Sequence, residues 1–262
     1  SPVVHKGRVY VVHDNDERSW LAAFDAATGQ EIFKIDREGE KSNWSTPFMW
    51  MNADRAELVT AGTGAVRSYD PDGKLLWSFR GMSSITIASP YASGGLLYIS
   101  SGYVGDPSRP IYAIRPGAKG DITLDQGERS NEWIAWSIPD AAPYNPTTLV
   151  YDGHLYTLFD RGFLTCHDAR TGAEVYGKQR LAIGANFTAS PWAYGGKVFC
   201  LSEEGVTYVV RAGSTYELLH TNELDEMCMS TPAIARGSLF VRTLKKLHRI
   251  GKPAENEPAK ER

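Results

Sequence analysis

The chain has 262 residues, 42% of them hydrophobic, and a formal net charge of −3, which is enough apolar material for one large core. The nearly balanced charge gives no electrostatic reason to expect a nucleic-acid partner or a membrane-surface partner. No stretch approaches the roughly 18 uninterrupted apolar residues that a transmembrane segment needs.

A short motif recurs along the chain: Ser or Thr, then Pro, then an apolar strand, a turn and a second apolar strand. The copies are Ser1-Pro2, Thr46-Pro47, Ser89-Pro90, Ser190-Pro191 and Thr231-Pro232, with a degenerate sixth at Thr147-Thr148. Successive copies start about 41 to 45 residues apart, except in a longer third unit. This period is typical of one four-stranded propeller blade.

The first unit contains four predicted strands in chain order. Residues 2–5 and 8–12 are two runs of β-branched and aromatic residues around the tight turn Lys6-Gly7, which predicts a hairpin. A third strand is expected around residues 21–24 and a fourth over residues 31–35. The unit therefore has the four strands of a complete blade.

The turn between the third and fourth strands returns in later units. It reads Asp25-Ala26-Ala27-Thr28-Gly29 in the first unit, Asp70-Pro71-Asp72-Gly73 in the second and Asp168-Ala169-Arg170-Thr171-Gly172 in the fourth. Asp and Thr side chains can bond nearby backbone N–H groups, and Gly supplies the positive φ that closes the turn. Large residues at the matching fourth-strand position are expected to pack between neighbouring blades. They are Phe33, Trp77, Trp136 and Tyr176.

The pattern resembles the pyrroloquinoline-quinone-like (PQQ-like) repeat, Leu-x-Ala-x-Asp-x-x-Thr-Gly-x-x-x-Trp, in segments 21–33, 66–77 and 164–176. The resemblance implies an all-β fold, a β-propeller of four-stranded antiparallel blades. It divides residues 1–251 into six units, approximately 1–44, 45–85, 86–144, 145–187, 188–227 and 228–251, the last with only three strands.

The same resemblance suggests which part of a protein the chain represents. We expect the C-terminal portion of a bacterial member, with one or two blades before Ser1 completing a seven- or eight-bladed propeller. Both ends are then expected to carry open sheet edges. Residues 252–262, with two prolines and alternating charge, are expected to form a disordered charged tail.

Searching the sequence for chemistry gives no catalytic residue and no metal site. The cysteines Cys166, Cys200 and Cys228 are widely separated and lack metal-ligand spacing, so we expect them to be buried apolar residues. The six histidines are scattered along the chain. Residues 14–16, Asp-Asn-Asp, start like a calcium loop but lack its glycine and glutamate, so a solvated loop is expected there.

The resemblance also raises the question of a cofactor. Quinoprotein dehydrogenases with PQQ-like repeats hold their quinone over adjacent cysteines and a tryptophan, with calcium bound by Glu, Asn and Asp. This chain has no Cys-Cys pair and no recognisable acid and amide cluster at matching sites. We therefore expect no cofactor, and PQQ with calcium belongs only to the alternative that the chain is a dehydrogenase fragment.

Binding in a propeller usually occurs on the face that carries two kinds of loop, those between blades and those between second and third strands. The predicted face residues are Trp44, Tyr144 and Phe187 from inter-blade loops, and His13, Tyr103, Asp106, Arg109, Asp160, Arg161, Glu203, Glu204 and Lys245 from the others. Aromatic groups with mixed charges suit a protein, peptide or glycan. The competing interpretation is that the aromatic residues seal the core beneath ordinary charged loops.

The third unit is about fifteen residues longer than the others, with the extra length in segments 103–110 and 122–133. Extra length in one repeat is where a partner-specific loop is often built. Tyr103, Asp106 and Arg109 are therefore the expected distinctive contacts.

These observations favour a non-catalytic, extracytoplasmic propeller, periplasmic or extracellular, that acts as a binding or scaffolding module. It would have no transmembrane segment and no nucleic-acid partner. Two alternatives stay open: a fragment of a PQQ-dependent dehydrogenase, and a scaffold for outer-membrane protein assembly.

Overall fold

The computed structural model describes residues 1–251, which form six β-sheets and no helix. The first sheet contains β1 (Val3–His5), β2 (Arg8–His13), β3 (Trp20–Asp25) and β4 (Glu31–Asp36). The second contains β5 (Phe48–Met51), β6 (Ala56–Ala61), β7 (Val66–Tyr69) and β8 (Leu75–Phe79). In both sheets the spatial order of these strands follows the chain, as in a propeller blade.

The third blade contains β9 (Tyr91–Ser93), β10 (Leu96–Ser100), β11 (Ile111–Ile114) and β13 (Ile134–Ile138). The fourth contains β14 (Leu149–Tyr151), β15 (His154–Phe159), β16 (Phe163–Asp168) and β17 (Glu174–Arg180). The fifth contains β18 (Trp192–Tyr194), β19 (Lys197–Leu201), β20 (Val206–Arg211) and β21 (Leu218–Glu223).

Within the described range, which ends at residue 251, the sixth blade shows the three strands β22 (Ala233–Ala235), β23 (Ser238–Arg242) and β24 (Leu247–Gly251). The predicted all-β propeller of four-stranded blades is therefore confirmed. Within residues 1–251, no strand pairs blade six with blade one. The predicted tail, residues 252–262, lies outside the described residues. Over the described range, nothing forms a helix that could cross a membrane.

The inner hairpins close through turns in which two successive residues have positive φ. In blade one these are Lys6 and Gly7, with φ of 46° and 75°. Asp152 and Gly153 repeat the turn in blade four, with φ of 49° and 73°. Two positive φ values match the right-handed twist of the flanking strands, so a short loop suffices.

The Asp-x-x-Thr-Gly turn is held by its own aspartate. The Asp25 Oδ1 atom accepts hydrogen bonds from the Thr28 backbone N–H at 2.8 Å and from the Thr28 hydroxyl at 2.9 Å. Asp168 does the same with Thr171, at 2.8 and 2.7 Å. These bonds lower the pKa of both carboxyl groups because they favour the charged form.

The glycine of the turn between the third and fourth strands packs closely against an aromatic ring of the preceding blade. A Cβ atom on Gly73 would lie 2.8 Å from the Phe33 ring of the preceding blade. One on Gly172 would lie 2.8 Å from the Trp136 ring. The glycine therefore allows the close approach of an aromatic ring as well as the positive φ of the turn. This confirms the predicted inter-blade packing of Phe33 and Trp136.

The Ser/Thr of the repeated motif links the blades near their innermost strands. The Thr147 backbone N–H donates to the Ser190 hydroxyl of the next blade, and the Ser190 N–H donates to the Thr231 hydroxyl, both at 2.9 Å. Thr46 with Ser89 and Ser89 with Thr147 make the same contact at 3.3 and 3.2 Å. The motif recurs because each hydroxyl satisfies a backbone donor of the preceding blade.

The hydrophobic core consists of clusters between successive blades. One buried aromatic residue represents each junction in chain order: Tyr10, Trp77, Trp136, Tyr156 and Trp192. Each blade therefore buries its two faces against two neighbours, as in other repeat architectures.

Part of the extra length in the third unit does not form a free loop. The segment between β11 and β13 includes β12 (Gly120–Asp121), which pairs in parallel with Trp77 and Ser78 at the outer edge of blade two. It adds a fifth strand to that sheet and covers its edge, where unpaired N–H and C=O groups would otherwise face solvent.

A groove on the loop face

The loops between blades and those between second and third strands lie on one end of the propeller, which we call the loop face. A cavity of about 570 Å³ on this face lies over blade four and the adjoining loops of blades three and five. We call this cavity the blade-four groove. It is lined by Val104, Arg109, Tyr144, Asn145, Phe159, Asp160, Arg161, Phe163, Lys178, Asn186, Phe187 and Glu203.

The wall of the groove is fixed by Asp160, the residue that follows β15. Its carboxylate accepts the backbone N–H groups of Tyr144 and Asn145 at 2.8 and 2.9 Å, and the Asn145 side-chain amide at 3.0 Å. Three donors to one carboxylate hold the inter-blade loop against blade four. The hydrogen-bonding capacity of the Asp160 carboxylate is therefore largely used by groups of the same chain.

Three cations of blade four lie in the groove or next to it without carboxylate partners: Arg161 and Lys178 line it, and Arg180 follows Lys178 on β17. Within residues 1–251, Arg161, Lys178 and Arg180 have no Asp or Glu oxygen within salt-bridge distance. The Lys178 amine lies 4.9 Å from the centre of the Phe159 ring, and the Arg180 guanidinium lies 3.8 Å from that of Phe163. Contact with aromatic faces positions these charges, and Arg180 Nη1 also makes a long contact of 3.4 Å to the Ala182 backbone oxygen.

The long loop of blade three forms the opposite side. The Arg109 guanidinium makes an ion pair with Asp140 at 2.7 Å, and Val104 is 66% exposed. Outside the groove lining, the Tyr103 ring lies 5.4 Å from that of Tyr144, and Asp106 caps the backbone N–H and hydroxyl of Ser84. Asp106 therefore has a local structural contact.

Other predicted face residues lie away from the groove. Trp44 is 61% exposed, and the His13 ring stacks on Trp20 with their centres 4.9 Å apart. Lys245 is exposed on blade six, and Glu204 is exposed beside Glu203. They are spread around the face and do not form one cluster with the groove residues.

Phe187 and Glu203 occupy the blade-five side of the groove in different ways. The Phe187 side chain is fully buried in the core between blades four and five, which matches the alternative interpretation of an aromatic residue sealing the core. Glu203 accepts a hydrogen bond from the Thr188 hydroxyl at 2.5 Å. The Phe187 ring therefore supports the groove from beneath, and one Glu203 oxygen is already bonded.

Sequence reasoning missed the strand residues Phe159, Phe163 and Lys178, which line the groove, and Arg180 next to them. Phe159 and Phe163 end and begin β15 and β16, while Lys178 and Arg180 lie on the outer strand β17. Pairing of Phe163 with Arg180 puts both side chains on one face of the sheet. The signal in the sequence was Lys-x-Arg at the end of a fourth strand. It indicates a site only when the strand register, and hence the residues opposite, is known.

The corresponding junction between blades one and two is closed by a buried ion pair. Arg37, only 2% exposed, donates to the two Asp14 oxygens at 2.7 and 2.9 Å. Its remaining nitrogen Nη1 donates to the Thr60 and Tyr69 hydroxyls, both at 2.9 Å. The expected solvated loop at residues 14–16 is wrong for Asp14, because Arg37 removes its side chain from solvent.

Glu40 closes the same junction from the inter-blade loop. Its buried carboxylate accepts the backbone N–H groups of Gly64 and Ala65 at 3.3 and 3.2 Å and makes an ion pair with Arg67. Charges at this junction are thus paired within the protein, in contrast to those in the blade-four groove.

The three cysteines are free and buried in the cores between blades. Cys166 and Cys200 lie in the core between blades four and five, and Cys228 lies in the next core. Burial raises the pKa of the Cys166 thiol to about 12, so it stays protonated at neutral pH. Within residues 1–251, no His, Cys, Asp and Glu side chains form a group suited to a metal ion.

The repeat, the blades and the inter-blade turns define a β-propeller of PQQ-like repeats. The sequence also matches the family described as outer membrane protein assembly factor BamB over residues 17–252, and the chain belongs to that family. No curated protein matches the chain by sequence.

Solved structures are similar in fold. BamB from Moraxella catarrhalis aligns with a TM-score of 0.66 and 10% identity, covering 92% of this chain and 68% of that one. The computationally designed Ika8 protein aligns with a TM-score of 0.67 and 14% identity, covering 95% and 70%. Quinohemoprotein alcohol dehydrogenase from Comamonas testosteroni aligns with a TM-score of 0.57 and 14% identity, covering 85% and 42%. The chain thus spans less than half of the dehydrogenase.

Proposed function

We propose that this propeller is a non-catalytic binding or scaffolding module that holds a segment of a partner protein in the blade-four groove. The observation that carries the proposal is the groove itself, a cavity of about 570 Å³ with charged and amide groups converging from three blades. Concave sites with a few convergent polar groups are the usual ligand sites of proteins.

The family supports a protein partner and an extracytoplasmic location. Its description, an outer membrane protein assembly factor, names a role in assembling other proteins. For this chain we propose a periplasmic or extracellular location and a protein or peptide at the loop face, in preference to a glycan. Scaffolding of outer-membrane protein assembly is the more specific form of the proposal.

Site-specific photo-crosslinking in the source cell tests it. A photoreactive amino acid would replace Val104 at the groove, and in a control variant it would replace Leu75, which is 49% exposed and follows a turn at the opposite end of the propeller. We expect irradiation to give a discrete protein adduct from position 104 and none from position 75. The same adducts from both positions, or no adduct from position 104, would contradict the proposal.

We also propose that the protein binds no quinone cofactor. A titration with PQQ distinguishes this proposal from the dehydrogenase alternative. PQQ would be added to the full-length protein with and without calcium, and the absorbance spectrum followed. We expect no saturable change, since the cysteines lie in inter-blade cores. A saturable change that requires calcium would favour the dehydrogenase alternative instead.

A further inference from the structure

The charges of the blade-four groove differ from those at the same positions in blade one. In blade one Trp20 pairs with Asp36 at the ends of β3 and β4, and in blade four Phe163 pairs with Arg180 at the ends of β16 and β17. The last residue of the fourth strand is therefore an acid in blade one and a base in blade four.

The partner of that residue lies two positions before the third strand. In blade one it is Arg18, which makes an ion pair with Asp36 at 3.1 Å. In blade four it is Arg161, so that Arg161 and Arg180 occupy the positions of an ion pair with two positive charges. Like charges at neighbouring positions repel each other, and an anion bound by both would reduce the repulsion.

Nearby acids do not supply that anion. The Asp160 oxygens accept three hydrogen bonds from the Tyr144 and Asn145 groups, and Glu203 accepts one from Thr188. Arg161 has only a long contact of 3.4 Å to the Asn186 side-chain oxygen. The planar donor edges of two arginines, with Lys178 beside them, suit carboxylates.

Blade five limits the length of an acidic ligand. At the two positions equivalent to Arg161 and Arg180 it carries Glu204 and Glu223, which are both exposed. An acidic segment is attracted over blade four and repelled over blade five. The favoured ligand therefore has a short acidic stretch.

We infer that Arg161 and Arg180, with Lys178, form a carboxylate-binding site for a short acidic segment of a partner protein. This inference rests on the proposed function and specifies its ligand class. The aromatic rings of Phe159 and Phe163 are covered by Lys178 and Arg180, which leaves them unsuited to stack on a sugar ring.

Fluorescence anisotropy with the full-length protein tests the site. The probe is a fluorescein-labelled peptide of about five residues that alternates Glu and Ser, and the matched peptide has Gln in place of Glu. We expect saturable binding of the Glu peptide that weakens as salt is added. We expect the double variant R161Q/R180Q to bind at least about tenfold more weakly, because a charged hydrogen bond is worth about a factor of ten or more.

The matched control is R18Q, which removes the equivalent arginine of blade one and should leave peptide affinity unchanged. Because all three arginines are exposed, unchanged unfolding midpoints should accompany these variants. Equal binding of both peptides, or equal losses in R18Q and R161Q/R180Q, would overturn the inference. Competition by inorganic phosphate at concentrations equal to those of the peptide would also overturn it, in favour of a site for a free anion.

Failure of the inference is distinguishable from failure of the proposed function. If no Glu peptide binds but position 104 still gives a protein adduct, the groove binds a partner by other contacts and the carboxylate site is wrong. If neither occurs, both proposals are wrong.

Discussion

Blade one and blade four have the same backbone and different charges. In blade one the Arg37 backbone N–H donates to the Ser19 oxygen at 2.9 Å, and in blade four the Leu181 N–H donates to the Gly162 oxygen at the same distance. The side chain that follows is a buried arginine in one blade and a buried leucine in the other. Backbone pairing therefore defines the repeat, and the side chains at its variable positions decide whether a junction is closed or open.

The two blades also use an equivalent acid differently. Asp14 and Asp160 each follow the second strand of their blade. Asp14 binds the Arg37 guanidinium, whereas Asp160 binds loop N–H groups because Leu181 offers no charge. Surrounding cations then stay unpaired in blade four. Because the blades repeat, each charged position of one blade can be compared with the equivalent position of another.

The largest expected effect is the loss of the buried ion pair. R37L copies Leu181 into blade one and leaves the Asp14 carboxylate buried without its partner. We expect the free energy of unfolding to fall by about 3–5 kcal/mol, which is typical of breaking a buried pair from one side. Urea denaturation would measure it.

The double variant D14N/R37L controls for the uncompensated charge. It removes both charges, and we expect it to lose clearly less stability than R37L alone. If R37L costs less than about 1 kcal/mol, the ion pair is not what closes the junction between blades one and two.

The next effect tests what the two blades share, the glycine of the Asp-x-x-Thr-Gly turn. Gly29 and Gly172 both have φ of +74°, but a Cβ on Gly29 would meet no atom within 4 Å and one on Gly172 would lie 2.8 Å from Trp136. G29A should therefore cost only the backbone strain, about 1–2 kcal/mol. G172A should cost about 1–3 kcal/mol more, since the Trp136 ring must move.

Chemical denaturation of the two variants side by side gives that difference directly. Equal losses would mean that the aromatic contact with the preceding blade contributes nothing beyond the turn itself. A third variant, G73A, should resemble G172A, because its Cβ would meet Phe33 at the same distance of 2.8 Å.

A smaller effect on stability is expected when the surface ion pair of blade one is introduced at the equivalent positions of blade four. R180D places a carboxylate beside Arg161, as Asp36 lies beside Arg18. We expect a gain in stability of up to about 1 kcal/mol at low salt, with loss of binding to the Glu peptide. Thermal unfolding and anisotropy would measure the two quantities.

The reverse exchange serves as its control. D36R in blade one should lose a similar amount of stability, because it creates the two like charges of blade four. If R180D gains stability and keeps its full affinity for the Glu peptide, Arg180 is not part of the binding site.

The smallest expected effect concerns pH. Burial lowers the pKa of His167, partly opposed by Glu174, so the native state resists protonation below the usual value of 6.5. The unfolded chain takes up the proton first, and stability should therefore fall as the pH decreases from about 6.5, by at most about 1.4 kcal/mol per pH unit.

The variant H167F introduces phenylalanine, which blade one has at the equivalent position, Phe24. It removes the group whose protonation causes this pH dependence. Urea midpoints at pH 7.5 and 5.5 should differ less in H167F than in the unchanged protein. An identical pH dependence in both would show that His167 does not contribute.

Much of the fold could be predicted because its signals are local and repeated. The Asp25 and Asp168 turns, the Ser/Thr-Pro starts and the fourth-strand aromatic residues each recur at a fixed period, and each satisfies a contact that every blade needs. The strand β12 was missed because Gly120 and Asp121 have no strand propensity of their own. They pair because the edge of blade two lies beside them.

Part of the candidate site could also be predicted. Arg109, Tyr144, Asp160, Arg161, Phe187 and Glu203 were expected on the loop face, and the structure brings them to one groove. Lys178 and Arg180 were missed, as was the burial of Asp14. Their surroundings depend on which residue of another strand lies opposite, and a register cannot be read from one strand alone.

The sequence by itself determined the repeat, the all-β blades and the turns, because backbone hydrogen bonding and steric demands at each position are met by nearby residues. Only the tertiary structure decided which charges are paired. Arg18 forms an ion pair with Asp36, and Arg161 and Arg180 occupy the equivalent positions of blade four. One combination neutralises itself and the other leaves positive charge at the groove. Electrostatic energy depends on distances between residues far apart in the chain, and folding sets those distances.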